Sequence, residues 1–215
     1  MKKILIENGI KQDKIFVFEM FDNIVDDDIK LERKFSRKIV FAGNLGKSNF
    51  LNKLCEDKKI LYSLNLYGIG LKRKLLPSFM NYKGAFSTER IVYMLDGSFG
   101  LIWDGDSVDT CTGFLGEYTK INNPGKFPLY IAAGLPVIVW KGAAVAETVK
   151  KYKIGIIIDS LMNIDKVLDT ITEDEYKEMC NNVLYLRKKV ITGYHYEKVI
   201  KEVINNNKLN YKENI

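Results

Sequence analysis

Histidine occurs once in the chain, at position 195, which excludes a metal site built from several imidazoles. Cysteine is nearly as scarce. Cys55, Cys111 and Cys180 are odd in number, far apart and without a C-x-x-C pair. They exclude a disulfide framework and fit reduced thiols in a reducing compartment. Long apolar runs are also missing. The longest, Tyr130 to Trp140, is interrupted by Gly134 and Pro136 and is too short to span a bilayer. At the start, Ile4, Leu5 and Ile6 give way at once to Glu7, Asn8 and Gly9, far short of a secretory signal. There is no internal repeat and no low-complexity segment. A cytoplasmic protein is expected, with a peripheral place at the inner membrane face as the alternative.

What is present describes a folded domain. The 215 residues are 47% hydrophobic and 28% charged, enough to bury a core without metals or disulfides. Thirty-three Lys and Arg against 27 Asp and Glu give a formal charge of +6. That balance suits a phosphate-bearing ligand, a polyanion or an anionic membrane surface. The basic residues are spread along the chain and are densest at Lys72-Arg73-Lys74. No zinc-finger, recognition-helix or RNP-like pattern accompanies them, so nucleic acid is not an expected partner.

Short apolar runs alternate with helical patterns. Strands are expected at Lys14–Glu19, Lys38–Ala42, Ile60–Leu66, Phe79–Lys83, Gly100–Trp103, Pro136–Trp140 and Gly155–Ile158. Helices are expected at Ser48–Cys55, Thr88–Leu95, Ala143–Tyr152, from Thr172 through about Val190, and from Tyr194 to Asn205. Thr172 and Glu175 have the spacing of a capping box. Asn123-Pro124 predicts a further helix start, with Asn as N-cap and Pro in first position, ending at Gly134. Ser107–Lys120, rich in Gly and Thr, reads as a loop, and Asp26–Asp28 as a solvated linker. Fully apolar strands between helices imply an α/β, Rossmann-like parallel sheet covered on both faces. In such sheets ligands lie beyond the carboxyl ends of the strands.

Three strand-end constellations carry candidate chemistry. In Asn122-Asn123-Pro124-Gly125-Lys126-Phe127, free helix-start amides, an unobstructed Gly125 and the charge of Lys126 make a recipe for a phosphate or diphosphate. An ordinary capped helix with a solvated lysine fits the same residues. Gly43-Asn44-Leu45-Gly46-Lys47-Ser48 ends in G-K-S but is no Walker A motif, because Phe41 stands where the first glycine is required. Its amides with Lys47 and Ser48 suit a second phosphate edge; a tight turn with a solvated lysine is the alternative. Asp104-Gly105-Asp106 has the D-x-D form of metal-dependent sugar transferases, but such carboxylates more often cap turns, and no metal is expected. His195 lacks a partner placed by motif. Tyr67, Tyr82, Phe86 and Phe99 either stack on a base or close the core.

Together FAGNLGKSNFL (41–51), LNLYG (64–68), YKGAF (82–86), GSFGLIWDGDSVDTCTGFLGEY (97–118) and NNPGKFPLYIAAGLPVIVWKGAAVAETV (122–149) resemble the bacterial GT-B sugar transferases. The nearest group contains the glucosyltransferase of serine-rich adhesins and galactofuranosyltransferase-like proteins. The resemblance implies the C-terminal, donor-binding half of a GT-B fold. It implies a UDP-sugar as donor substrate, no cofactor and no metal, and transfer of a hexose to a glycan or glycoprotein acceptor. The diphosphate would be held by Asn44, Lys47, Ser48 and residues Asn122, Asn123, Pro124, Gly125, Lys126 and Phe127. Tyr67 and the loop of Lys83, Gly84 and Phe86 would hold the nucleoside side. Members often carry histidine where this chain has Gly125. The resemblance also implies a remnant of an N-terminal domain and linker over 1–30, the nucleotide-sugar domain over 31–205 and a polar tail over 206–215. A fragment, a truncated product or one part of a split enzyme is therefore expected. The alternative is a non-catalytic nucleotide-sugar-binding or assembly module working with an N-terminal-domain partner chain or as a homo-oligomer.

Overall fold

The computed structural model describes residues 1–26, 32–56 and 59–212, with side chains described through Asn206. Most of the expected Asp26–Asp28 linker and the last three residues of the expected tail lie outside the described residues.

Six parallel strands form one sheet. They are β1 (Lys38–Ala42), β2 (Ser63–Tyr67), β3 (Met80–Gly84), β4 (Phe99–Ile102), β5 (Val137–Trp140) and β6 (Gly155–Ile158), in the order β3-β2-β1-β4-β5-β6. β4 and β5 are buried throughout, as sequences apolar at every position demand, while the edge strands β3 and β6 are partly exposed. The order reverses between β1 and β4, so the connections leaving these two strands run to opposite sides and open a crevice there.

The helices are α1 (Lys2–Glu7), α2 (Phe50–Leu54), α3 (Thr88–Met94), α4 (Gly113–Thr119), α5 (Lys126–Ala132), α6 (Ala146–Tyr152), α7 (Ile164–Thr170), α8 (Glu173–Val190) and α9 (Tyr194–Lys212). The capping box of α8 is present, with Thr172 and Glu175 each satisfying the other's backbone amide. α5 lies between β4 and α8, where Arg187 Nε donates to the Ala132 carbonyl (2.8 Å). At Gly100 any side chain would run into the ring of Tyr130, so the glycine lets α5 sit close on β4. The buried Tyr130 hydroxyl then accepts from the Ala42 amide (2.8 Å) and donates to the Leu101 carbonyl (3.2 Å). One side chain thus ties β1 to β4 beneath the crevice.

Four expectations need correction. Lys14–Glu19 is not a strand: Gln12–Lys14 is a single 3₁₀ turn, and the extended residues after it pair with no sheet edge. They lie instead against α9 and the loop before α5. Asp22 accepts from the Tyr196 amide (2.8 Å) and lies 2.6 Å from His195 Nδ1, with both side chains almost fully buried. The partner that sequence spacing could not assign to His195 is therefore Asp22. Second, Ser107–Lys120 is not wholly loop. Gly116 of α4 packs so tightly on the Cys111 backbone that no other residue fits, and this tertiary contact overrides the poor helix propensity of glycine. Third, the helix expected at Asn123-Pro124 starts two residues later, and its N-cap is Gly125. Fourth, α9 continues to Lys212, well beyond the expected Asn205.

Candidate functional site

The carboxyl ends of β1, β2 and β3 are joined backbone to backbone. The Gly43 amide donates to the Tyr67 carbonyl (3.0 Å), Leu45 to Ile69 (2.8 Å) and Gly68 to Gly84 (2.9 Å). Gly68 has φ +132°, and a side chain there would overlap the Gly43 carbonyl oxygen. Gly46 and Gly70 also pack backbone to backbone, and a Cβ on either would come within 2.9 Å of the other. Only glycine permits such contacts, so these strand ends form one rigid shelf beside the crevice.

On the crevice itself, Asn44 accepts from the Gly46 amide (3.1 Å) and shapes the turn after β1. Lys47 is exposed and forms no ion pair among the described residues. Ser48 is buried, its hydroxyl donating to the Asn44 carbonyl (3.0 Å). The expected ligand role of Ser48 therefore gives way to a turn-closing one.

From the other side comes α5. Lys126 Nζ lies 2.6 Å from Asp104 Oδ2 at the end of β4, with both side chains largely buried (15% and 19% exposed). The aliphatic stem of Lys126 runs over Gly43, where a Cβ would stand only 3.3 Å from Cε. Its ammonium is 5.3 Å from the centre of the Phe41 ring. The lysine therefore spans the crevice from α5 to the shelf. An ammonium has three donors, and Asp104 engages one of them. The amides of Gly125 and Lys126 open the helix and lack intrahelical partners by position. At Gly125 a Cβ would meet nothing within 4 Å, so a ligand can reach this backbone.

The other expected residues of this loop serve structure. Phe127 is fully buried and its amide donates to the Pro124 carbonyl (2.9 Å), so neither its ring nor its N–H reaches a ligand. Pro124 is buried and has no N–H. Asn123 Nδ2 donates to the Glu19 carbonyl (3.0 Å), while its Oδ1 is buried and has no partner among the described residues. Asn122 and Asn123 line a cavity of about 460 Å³ shared with α1 and residues 15–19.

The nucleoside-side expectations divide. Tyr67 is buried; its hydroxyl donates to the Met94 carbonyl (2.9 Å) and accepts from the Asp96 amide (3.0 Å). Burial pushes its phenol up, and it is a core residue rather than a ligand contact. Lys83 is exposed, 4.0 Å from Asp96. Gly84, with φ +102°, turns the chain so that the half-buried Phe86 packs on Tyr67. These three stand at the far end of the shelf.

In the D-x-D stretch, Asp104 engages Lys126 and Asp106 accepts from Asn49 Nδ2 (2.8 Å) across the crevice. Among the described residues no cluster of three or more His, Cys, Asp or Glu could hold a metal ion. The pairing of Asp104 with Lys126 was invisible to sequence reasoning, because nothing in a 22-residue separation predicts it. Glu19, which holds Asn123 through its carbonyl, lay in the segment misread as a strand.

A family model described as "Glucosyltransferase 3-like, C-terminal domain" matches residues 39–203, the whole sheet and its helices. The chain belongs to this family. It is 35% identical over 201 residues to the beta-1,6-galactofuranosyltransferase WbbI of Escherichia coli K12, covering 91% of this chain and 58% of that protein. It is 26% identical over 206 residues to Glucosyltransferase 3 of Streptococcus gordonii, covering 95% of this chain and 59% of the relative. The chain thus spans under two thirds of the length of these relatives. Among solved structures, TarM superposes with a TM-score of 0.56 at 14% identity, over 95% of this chain and 41% of TarM. Anabaena Alr3699/HepE, solved with UDP-glucose, gives 0.53 at 11% identity, over 98% and 61%. These likenesses show the fold: the Rossmann-like half of a GT-B architecture. No helix among the described residues is long and apolar enough to cross a membrane.

Proposed function

We propose that the Glucosyltransferase 3-like chain is the donor-binding part of a glycosyltransferase, holding the diphosphate of a UDP-sugar in the β1/β4 crevice and serving transfer of a hexose to a glycan or glycoprotein. The observation that carries this reading is the placement of Lys126. Its ammonium is fixed by Asp104 over Gly43, beside the open amides of Gly125 and Lys126, at the point where the strand order reverses. Backbone donors, a positioned cation and a backbone free of Cβ contacts are what a diphosphate requires. The transferase names of the relatives and the UDP-glucose bound to the HepE structure support the same choice of ligand.

The chemistry follows from charge. When the bond between the anomeric carbon and the β-phosphate oxygen breaks, that oxygen gains negative charge. Donors already aimed at it stabilise the transition state more than the ground state. Lys126 is preorganised for this by Asp104, and Lys47, without an ion-pair partner among the described residues, adds a second charge from the β1 side. Asn44 shapes the turn that carries Lys47, and Lys83, Gly84 and Phe86 bound the nucleoside end of the shelf. The three free thiols fit a cytoplasmic setting.

Thermal unfolding with UDP, UDP-glucose, GDP and ADP tests the reading. A ligand at 100 times its Kd adds about 2.7 kcal/mol, roughly 5–10 °C for a domain of this size. Uridine nucleotides are expected to stabilise and the others to do so weakly. No shift with either uridine ligand contradicts the proposal.

A second reading, a binding module that works with another chain, is favoured by the aliphatic side chains left exposed near the N-terminus: Ile4, Ile6, Ile10, Val17 and Ile24. Transfer activity that arises only on adding a candidate partner distinguishes it.

A further inference from the structure

The shelf continues into a loop with a composition of its own. From the Gly46–Gly70 contact the chain runs without helix or strand to Met80, through Leu71-Lys72-Arg73-Lys74-Leu75-Leu76. Lys72, Arg73 and Lys74 are all exposed, and among the described residues none of them forms an ion pair. Arg73 Nε donates to the Leu75 carbonyl (3.0 Å), which folds the loop back on itself. Leu75 is 85% exposed and Ile69 64% exposed, placing an aliphatic side chain on each side of the three cations.

A single exposed aliphatic residue is ordinary. Two of them bracketing three exposed cations are not, because water suffices for the cations alone and a fold contact would cover the aliphatic side chains alone. The combination matches one surface in particular. An anionic bilayer offers fixed negative charge for the cations and, just beneath it, an apolar layer for the aliphatic tips. We propose that the Ile69–Leu75 loop is a lipid-facing surface that seats this protein on an anionic membrane. The loop starts at the Asn44–Ser48 turn, so seating would hold the crevice beside the membrane surface. The inference goes beyond the donor-binding reading and does not depend on it.

The test is co-sedimentation of the full chain, without nucleotide, with phosphatidylcholine vesicles and with vesicles containing about 30% phosphatidylglycerol. Binding is expected to the anionic vesicles only and to weaken with salt. Replacing Lys72, Arg73 and Lys74 together by Gln should lower the partition coefficient about a hundredfold, from the typical contribution of each cation near a charged surface. Unchanged circular dichroism and thermal midpoint would show that this exposed loop variant still folds. In a second variant, Leu75→Trp, indole emission should shift to the blue on adding anionic vesicles. Three results overturn the proposal: no pelleting with anionic vesicles at low salt, equal pelleting of the triple variant, or a Leu75→Trp emission that is unmoved by vesicles while the loop binds RNA.

Discussion

Lys126 Nζ and Asp104 Oδ2 lie 2.6 Å apart, joining the first turn of α5 to the end of β4. A lysine in the first turn of a helix opposes the macrodipole, and Asp104 supplies the compensating charge. The pair fixes where the ammonium points but also lowers the net positive charge of the crevice. Two variants separate these effects. Lys126→Ala should weaken UDP binding tenfold or more by calorimetry. Asp104→Asn keeps an acceptor for the ammonium and removes the negative charge, so UDP should bind about three to ten times more tightly. Weaker binding by Asp104→Asn would show that the charge, not the hydrogen bond, positions the lysine.

Two glycines should behave oppositely. Gly68→Ala forces a side chain into the Gly43 carbonyl from a backbone with φ +132°, so a loss of at least about 3 kcal/mol is expected in urea unfolding. Gly125→Ala has open space and φ −58°, so stability should stay within about 0.5 kcal/mol. Its UDP affinity should nonetheless fall, because the methyl group would stand where a phosphate approaches the backbone.

Tyr130→Phe removes the hydroxyl that joins the Ala42 amide to the Leu101 carbonyl. A buried N–H left without a partner costs roughly 1–3 kcal/mol. Denaturant unfolding should report a loss in that range.

The extended segment before the domain should loosen in acid. The hydrogen bond from Lys151, opposed by partial burial and aided by Tyr152, holds Glu19 below the usual carboxylate range. A depressed carboxyl stabilises the fold above its unfolded pKa, and that contribution is lost as pH falls through the lower folded value. Amide exchange over residues 15–23 should therefore quicken below the ordinary glutamate range. Glu19→Gln should flatten that dependence.

Cys111 is 2% exposed, and burial pushes its thiol up to about 12. At pH 8 it should resist a disulfide reagent until the protein is unfolded. Rapid labelling of native Cys111 would contradict the packing of α4 on the Cys111 backbone.

Much of the sheet was legible because its strands are short, mostly apolar runs: Lys38–Ala42 and Gly155–Ile158 were read to the residue, and β2, β3, β4 and β5 to within a few. Lys14–Glu19 misled because a short apolar run also lets a chain lie extended against α9 without a neighbouring strand. α4 was hidden by Gly113 and Gly116, whose low propensity is offset by a contact no local pattern shows. α7, Ile164–Thr170, was not anticipated at all. Within the candidate site, residue types at strand ends pointed to loops that the fold brings together at the β1/β4 crevice. Which side chains face outward was not legible: Tyr67, Ser48 and Phe127 have ligand-like chemistry, and the structure directs all three inward.

The most direct measurement is an amide chemical-shift map of the isotopically labelled chain titrated with UDP. The account predicts that the largest changes fall on Gly43–Lys47, Asp104–Asp106 and Gly125–Lys126, the residues that meet at the β1/β4 crevice. Changes centred instead on the cavity beside residues 15–19, or none at saturating UDP, would contradict it.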